Sequence, residues 1–216
     1  MKILVVSCDK YKVCWKPFFT LLNKYYPNHP DCYLVCETEK CEYCSTINID
    51  DSSWTFRLRK ALEKIKDDQV LVMLDDFFIR RPVDEERINN IRFTDDIISY
   101  NFELEYREPA LSLREWDIQK NNQYYLNSCQ PTVWNRKLLI DRLKEDQSPQ
   151  EWETTMVNSP YIHFINNKDL IIDIGYRHQP LDIGWGITRG KITRECLDFL
   201  ESEGLADEIK HNYTLL

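Results

Sequence analysis

The residues best placed to do chemistry are Asp75 and Asp76. They follow the apolar run Val70–Leu74 and precede Phe77, Phe78 and Ile79. Apolar neighbours on both sides predict burial, and a buried carboxylate is costly unless something pairs with it. The partner would be a protein cation, a helix N-terminus or a metal ion. Adjacent strand residues point to opposite faces, so while the strand lasts only one of the two carboxylates can meet a ligand directly. A second reading needs no ligand: the two acids cap the following helix or pair with Arg80 and Arg81.

These acids must be held by a scaffold, and the chain predicts one. Lys2–Cys8 is a short apolar, β-branched run that reads as a buried parallel strand. Trp15, Phe18, Phe19, Leu22 and Tyr26 then recur at helical spacing, with Pro17 in the first turn and Pro27 as terminator. Residues 32–37 form a second strand. Residues 50–68 form a helix, capped by Ser52 or Ser53, with Trp54, Leu58, Ala61, Leu62 and Ile65 on one face. Val70–Leu74 is the third strand. Alternation of strand and helix predicts an α/β fold whose central sheet is mostly parallel and flanked by helices. Beyond it come a helix over 83–93, a strand over 96–104, and a strand end at 130–135. Asn135 caps 136–143, and 148–153 begins a helix with Ser148 as cap, Pro149 at its first position and Glu151 closing a capping box. A strand over 169–174 and a last helix over 193–202, stopped by Gly204, complete the reading. No repeat or linker divides the chain, so residues 1–216 read as one domain.

Composition narrows the function. A net charge of -8 without a long basic run argues against nucleic acid as the main partner. No leader-like segment follows Met1, and no apolar stretch has the length of a membrane span, so a cytoplasmic location is the expectation. Four of the eight cysteines, Cys32, Cys36, Cys41 and Cys44, fall close together. A four-thiolate zinc site is one reading of them; buried small hydrophobes on a strand is the other.

Open parallel sheets bind ligands beyond the carboxyl ends of their strands, where Asp75, Asp76 and residues 7–9 lie. All five glycines fall at 175 or later, which removes both the phosphate loop and the dinucleotide fingerprint. An aspartyl phosphatase wants its two acids spaced by one residue after an early strand, not adjacent after the third. Transfer of a sugar from a nucleotide diphosphate fits better. The leaving diphosphate needs its charge neutralised, and an acidic side chain holding Mg2+ or Mn2+ supplies that. Asp76, nearer the loop, is the expected metal ligand. Asp75 would bind the ribose or support the metal from behind. Gly184–Lys191 is the one glycine-rich stretch. Arg189 and Lys191 would either close over a diphosphate or sit in a solvated turn. His178 in the same region reads as a loop residue, or as a ligand or base. Tyr124, Tyr125, Gln130 and Trp134 would line an acceptor groove, with Trp134 also fitting a core position.

The ordered set of a strand ending in Ser7-Cys8-Asp9-Lys10-Tyr11, the helix from Ser52, Val70–Ile79, and the later segments 130–135, 148–153 and 186–192 resembles bacterial GT-A type sugar transferases of surface-polysaccharide clusters. The resemblance spans residues 2 to 192. It implies one nucleotide-diphospho-sugar-binding α/β domain, a nucleotide-sugar donor, and a saccharide or lipid-linked acceptor. Any contact at the inner face of the membrane would come through the acceptor or a surface patch. It places Ser7, Asp9 and Tyr11 at the nucleotide, and Arg57 at the diphosphate or beside the aspartate pair. Asp75 and Asp76 stand where the family carries a spaced Asp-x-Asp metal motif, so the spacing departs from the pattern. Glu153 is the expected catalytic base: it is read as lying in the first turn of a capped helix, whose dipole keeps a carboxylate ionised, beside Trp152 as a sugar platform. A binding or assembly protein that has lost turnover is the alternative on the same fold.

Overall fold

The computed structural model describes residues 1–51, 53–104, 109–113, 115–144, 146–166, 187–188 and 190–216. The first half runs β1 (Lys2–Val6), α1 (Trp15–Tyr25), β2 (Cys32–Cys36), β3 (Ser45–Asn48), α2 (Trp54–Lys64) and β4 (Gln69–Met73). Next come α3 (Glu85–Asn89), β5 (Ile97–Leu104), β6 (Leu111–Ser112), β7 (Trp116–Ile118), β8 (Thr132–Asn135), α4 (Arg136–Arg142), α5 (Pro149–Thr154) and β9 (Ile162–Asn166). The C-terminal part holds β10 (Ile187–Thr188), β11 (Lys191–Ile192), α6 (Arg194–Ser202), α7 (Asp207–Asn212) and β12 (Thr214–Leu215).

A nine-stranded sheet in the order β3-β2-β1-β4-β8-β5-β9-β7-β6 forms the centre, and β10-β11-β12 form a small second sheet. The pairings from β3 through β2 and β1 to β4 are parallel; α1 and α2 make crossovers between strands, while β2 and β3 are joined without a helix. Beyond β4 the sheet is mixed: β8 runs antiparallel to both β4 and β5, while β5 and β9 are parallel.

Period-two alternation divides the interior. Ile3, Val5, Leu71 and Met73 face one cluster with α1, α6 and α7, which contribute Phe18, Leu22, Leu200 and Ile209. Leu4, Val6, Val70 and Val72 face the other, packed by Leu58 and Leu62 of α2, Leu139 of α4 and Trp152 of α5. Covered on both faces, β1 and β4 are continuous hydrophobic runs.

Helix ends follow the local chemistry. Ser53 caps α2 by accepting the Phe56 N–H at 3.2 Å, Asn135 caps α4, and Ser148 with Glu151 forms the capping box of α5. Gly204, at φ +70°, ends α6, and the Leu205 N–H reaches back to the Leu200 carbonyl at 2.8 Å.

Several expectations are corrected. The helix expected over 83–93 is limited to Glu85–Asn89, and α7 follows the helix expected to be last. β3, β6, β7 and β9 add strands that the sequence reading did not include. The strand expected over 169–174 lies outside the described residues. Cys41 and Cys44 approach to 3.8 Å between sulfurs, but Cys36 turns its thiol to the Glu39 carbonyl at 3.3 Å. Among the described residues no three His, Cys, Asp or Glu side chains assemble to hold a metal ion, so the four-thiolate zinc reading gains no support. No described helix is long and apolar enough to cross a membrane.

Trp134 on β8 is 1% exposed and belongs to the second core cluster, the position its core reading required. Trp134→Ala is expected to lower unfolding free energy by about 3–5 kcal/mol in urea titration. A loss below about 1 kcal/mol would contradict this packing.

Candidate active-site cleft

A cleft of about 570 Å³ opens where β1 and β4 end, walled by α2, α5 and the segment 125–129. Five of the expected site residues line it together: Ser7, Tyr11, Arg57, Asp75 and Asp76, joined from the far side by Glu153.

β4 ends at Met73, and Asp75 and Asp76 sit in the turn that follows, which separates the two carboxylates. Asp75 meets α1. Its Oδ2 accepts a short hydrogen bond from the Ser7 hydroxyl and another from Trp15 Nε1 at 3.1 Å, and that same indole N–H lies 2.8 Å from Ser7 Oγ. Asp75 is 4% exposed. Burial and the neighbouring Asp76 charge hold its carboxyl well above the usual range. Asp76 is half-buried at the cleft, where it accepts from the main-chain N–H of Ile187. Burial and then the charge of Glu153 raise Asp76 to about 7.

Glu153 departs from expectation in position. α5 has six residues, and Glu153 is the fifth, beyond the first turn where the dipole acts. Its carboxylate accepts instead from the Cys129 N–H at 2.9 Å, and burial pushes it up to about 7, opposite to the expected dipole effect. Its carbonyl accepts from the Tyr125 N–H at 2.9 Å. Trp152 is not a platform. It is 2% exposed and packs on Trp54 with ring centres 6.4 Å apart.

Arg57 is also differently employed. Nη1 donates to the Asp51 carbonyl at 2.5 Å and pairs with Glu37 at 2.9 Å, and Nη2 donates to the Ser7 carbonyl at 3.1 Å. It braces the ends of β1 and β2, and neither aspartate receives these bonds. Asp9 is outside the cleft lining. Its carboxylate accepts from the Thr38 hydroxyl at 2.6 Å and from the Thr38 and Glu39 N–H groups at 3.1 and 3.2 Å, which fixes the β2–β3 connection. Tyr11 does line the cleft, its phenol raised to about 12 by burial and by the two aspartates. Lys191 is exposed on β11 and is not part of the lining, although Ile187 of the paired strand is. Arg189, His178 and most of the glycine-rich stretch lie outside the described residues. Of the expected acceptor-groove residues, Tyr125 lines the cleft, Trp134 is core, and Gln130 is buried with its Nε2 lacking a partner.

The sequence reading gave Trp15 and Cys129 no place in the site. Trp15 carries a weak signal, an indole donor at the start of a helix after a strand end. Cys129 acts through its peptide N–H, for which side-chain identity gives none.

No family model matches the chain, and no curated protein matches it. Solved structures do. The 2-C-methyl-D-erythritol 4-phosphate cytidylyltransferase from Thermus thermophilus superposes with TM-score 0.50 at 10% identity, over 95% of this chain and 98% of that one. TarS of S. aureus gives 0.49 at 12% identity over 79% and 36%, and the galactosyltransferase LgtC gives 0.45 at 13% over 68% and 66%. This chain thus spans about two thirds of the length of LgtC and about a third of TarS. The superposition over nearly the whole chain shows the fold alone: a Rossmann-like α/β architecture with a large central sheet flanked by helices.

Two carboxyls held near 7 affect stability in a definite direction. The unfolded chain loses these protons near the ordinary values of 3.8 and 4.5, while the folded chain retains them to about 7. Their contribution is therefore complete at low pH and is lost as pH rises across that window. Glu153→Gln keeps an acceptor for the Cys129 N–H and removes the charge. It is expected to exceed wild type in stability at pH 8 by on the order of 1–3 kcal/mol, with the gap closing toward pH 5. Urea titrations at both pH values measure it; a pH-independent gap would contradict the burial of this carboxylate.

Proposed function

We propose that the cleft binds a nucleotide-diphosphate sugar and transfers its sugar to an acceptor hydroxyl, in the manner of a glycosyltransferase. The observation that carries this reading is the placing of Asp76 and Glu153 in one cleft at the strand ends, close enough for one charge to raise the other's pKa. In a direct displacement, Glu153 takes the proton of the acceptor hydroxyl, whose oxygen bonds to the anomeric carbon. The bond from that carbon to the diphosphate breaks, and its electron pair leaves on the diphosphate. A base near 7 is matched to this step at neutral pH.

Mg2+ or Mn2+ fits the donor set. Asp76 offers a hard oxygen ligand whose ionised form is disfavoured until a cation arrives, and the described residues supply no closed cage. Such an ion takes one or two carboxylates and fills its shell with phosphate oxygens and water. Asp76 would hold it, and it would supply charge neutralisation at the departing diphosphate. Asp75, fixed by Ser7 and Trp15, sets the backbone at which Asp76 turns into the cleft. Arg57 braces the nucleotide side. Arg189 and Lys191 are proposed to approach the diphosphate, and surface polysaccharide assembly is the proposed context.

Nucleotidyl transfer is a second reading, favoured by the full-length superposition on a cytidylyltransferase. It would bring a triphosphate into a cleft whose one basic lining side chain, among the described residues, is Arg57, already paired with Glu37. Sugar transfer makes the smaller demand for positive charge.

Thermal unfolding with UDP, GDP, CDP and dTDP, each with and without Mn2+, tests the binding claim. One nucleotide is expected to raise the melting temperature in a metal-dependent way in wild type, and Asp76→Ala is expected to abolish the rise. No shift with any nucleotide would remove the reading. With a donor identified, Glu153→Gln is expected to lower kcat by about 10²–10⁴-fold, and wild-type activity should rise with pH through about 7. Release of pyrophosphate from a nucleoside triphosphate would instead support nucleotidyl transfer.

A further inference from the structure

The segment beside Glu153 is built unusually. Tyr125 has φ 64°, a left-handed conformation uncommon for a bulky residue, and Asn122 nearby has φ 59°. The conformation is enforced from α5 and the chain just after it. The Tyr125 N–H is held by the Glu153 carbonyl at 2.9 Å, and Gln123 and Val157 exchange two main-chain hydrogen bonds at 3.2 Å each. Glu153 is thus bracketed, its carbonyl fixed to Tyr125 and its carboxylate to Cys129. Strain of this kind persists where the surroundings over-determine it, often at ligand sites. Its outcome here is that a tyrosine, 44% exposed, lines the cleft at a fixed offset from a carboxylate.

An aromatic ring partly open to solvent suits the apolar C–H face of a sugar, because it offers area without a charge to desolvate. The surrounding charge narrows the class. Asp75, Asp76 and Glu153 line the cleft, and its one basic lining residue among the described residues, Arg57, is paired with Glu37. An anionic group beside Tyr125 would find no unpaired basic side chain among the described lining residues.

We propose that Tyr125 is the platform of an acceptor subsite for a neutral saccharide, which lies on the ring and presents a hydroxyl to Glu153. The role as acceptor rests on the transfer reading above; the sugar subsite does not.

The test uses the full chain and a panel of probes: the methyl glycosides of glucose, galactose and N-acetylglucosamine, and the anion glucose 1-phosphate. Saturation-transfer NMR detects binding, and tryptophan fluorescence gives Kd. At least one neutral glycoside is expected to bind, with glucose 1-phosphate weaker. Tyr125→Gly removes the ring while relieving the backbone, so it should fold; it is expected to weaken the glycoside by about tenfold. Tyr125→Phe keeps the ring and is expected to restore binding. Absence of any neutral glycoside binding, equal binding by the glycine variant, or preference for the phosphate overturns the proposal. Nucleotide-induced stabilisation of wild type reports separately on the transfer reading. Glycoside binding without it would leave the subsite and remove the transferase, and the converse would do the reverse.

Discussion

Two adjacent carboxylates at the end of a buried strand cannot share one environment, and the cleft is organised around that constraint. The turn after β4 sends Asp75 toward α1 and Asp76 into the cleft beside α5. On the α1 side the cost of burial is met by neutral donors, the Ser7 hydroxyl and the Trp15 indole. On the α5 side no cation among the described lining residues faces Asp76, only a peptide N–H and another carboxylate. One aspartate is thereby a structural anchor and the other stays electrostatically unfinished. The division follows from the path of the main chain through that turn.

The anchor has a mechanical role. Ser7 follows β1, Asp75 follows β4, and Trp15 begins α1, so their hydrogen bonds tie two neighbouring strand ends to the helix between β1 and β2. Arg57 adds a second tie from α2 to the Ser7 carbonyl and to Glu37 beyond β2. Residues at the carboxyl edge therefore hold one another before they hold anything else. This is why Asp9 and Arg57, though at the expected edge, make fewer contacts with the cleft than their positions suggest.

How much was legible in the sequence varies with range. The parallel half could be read because apolar runs and helical periodicity are local signals, and capping chemistry located the starts of α2, α4 and α5. β9 and β7 could not be read, since their pairing partners are distant in sequence and their residues mix polar with apolar. The cleft was legible where strand ends placed Ser7, Tyr11, Asp75 and Asp76 at one edge. Glu153 lines the cleft, but not for the reason expected of it: α5 ends too soon for a dipole to govern it, and burial moves its pKa the other way. Its true partner was invisible because a peptide N–H carries no residue letter.

That last feature has a consequence for descent. Both carboxylates facing the cleft accept from peptide groups, those of Cys129 and Ile187, rather than from side chains. Such contacts exclude proline at the donor position and constrain little else there. Generations of substitution can pass through these two positions while the electrostatic setting survives in the path of the chain. A site kept in this way fades from alphabetic comparison long before it fades from shape.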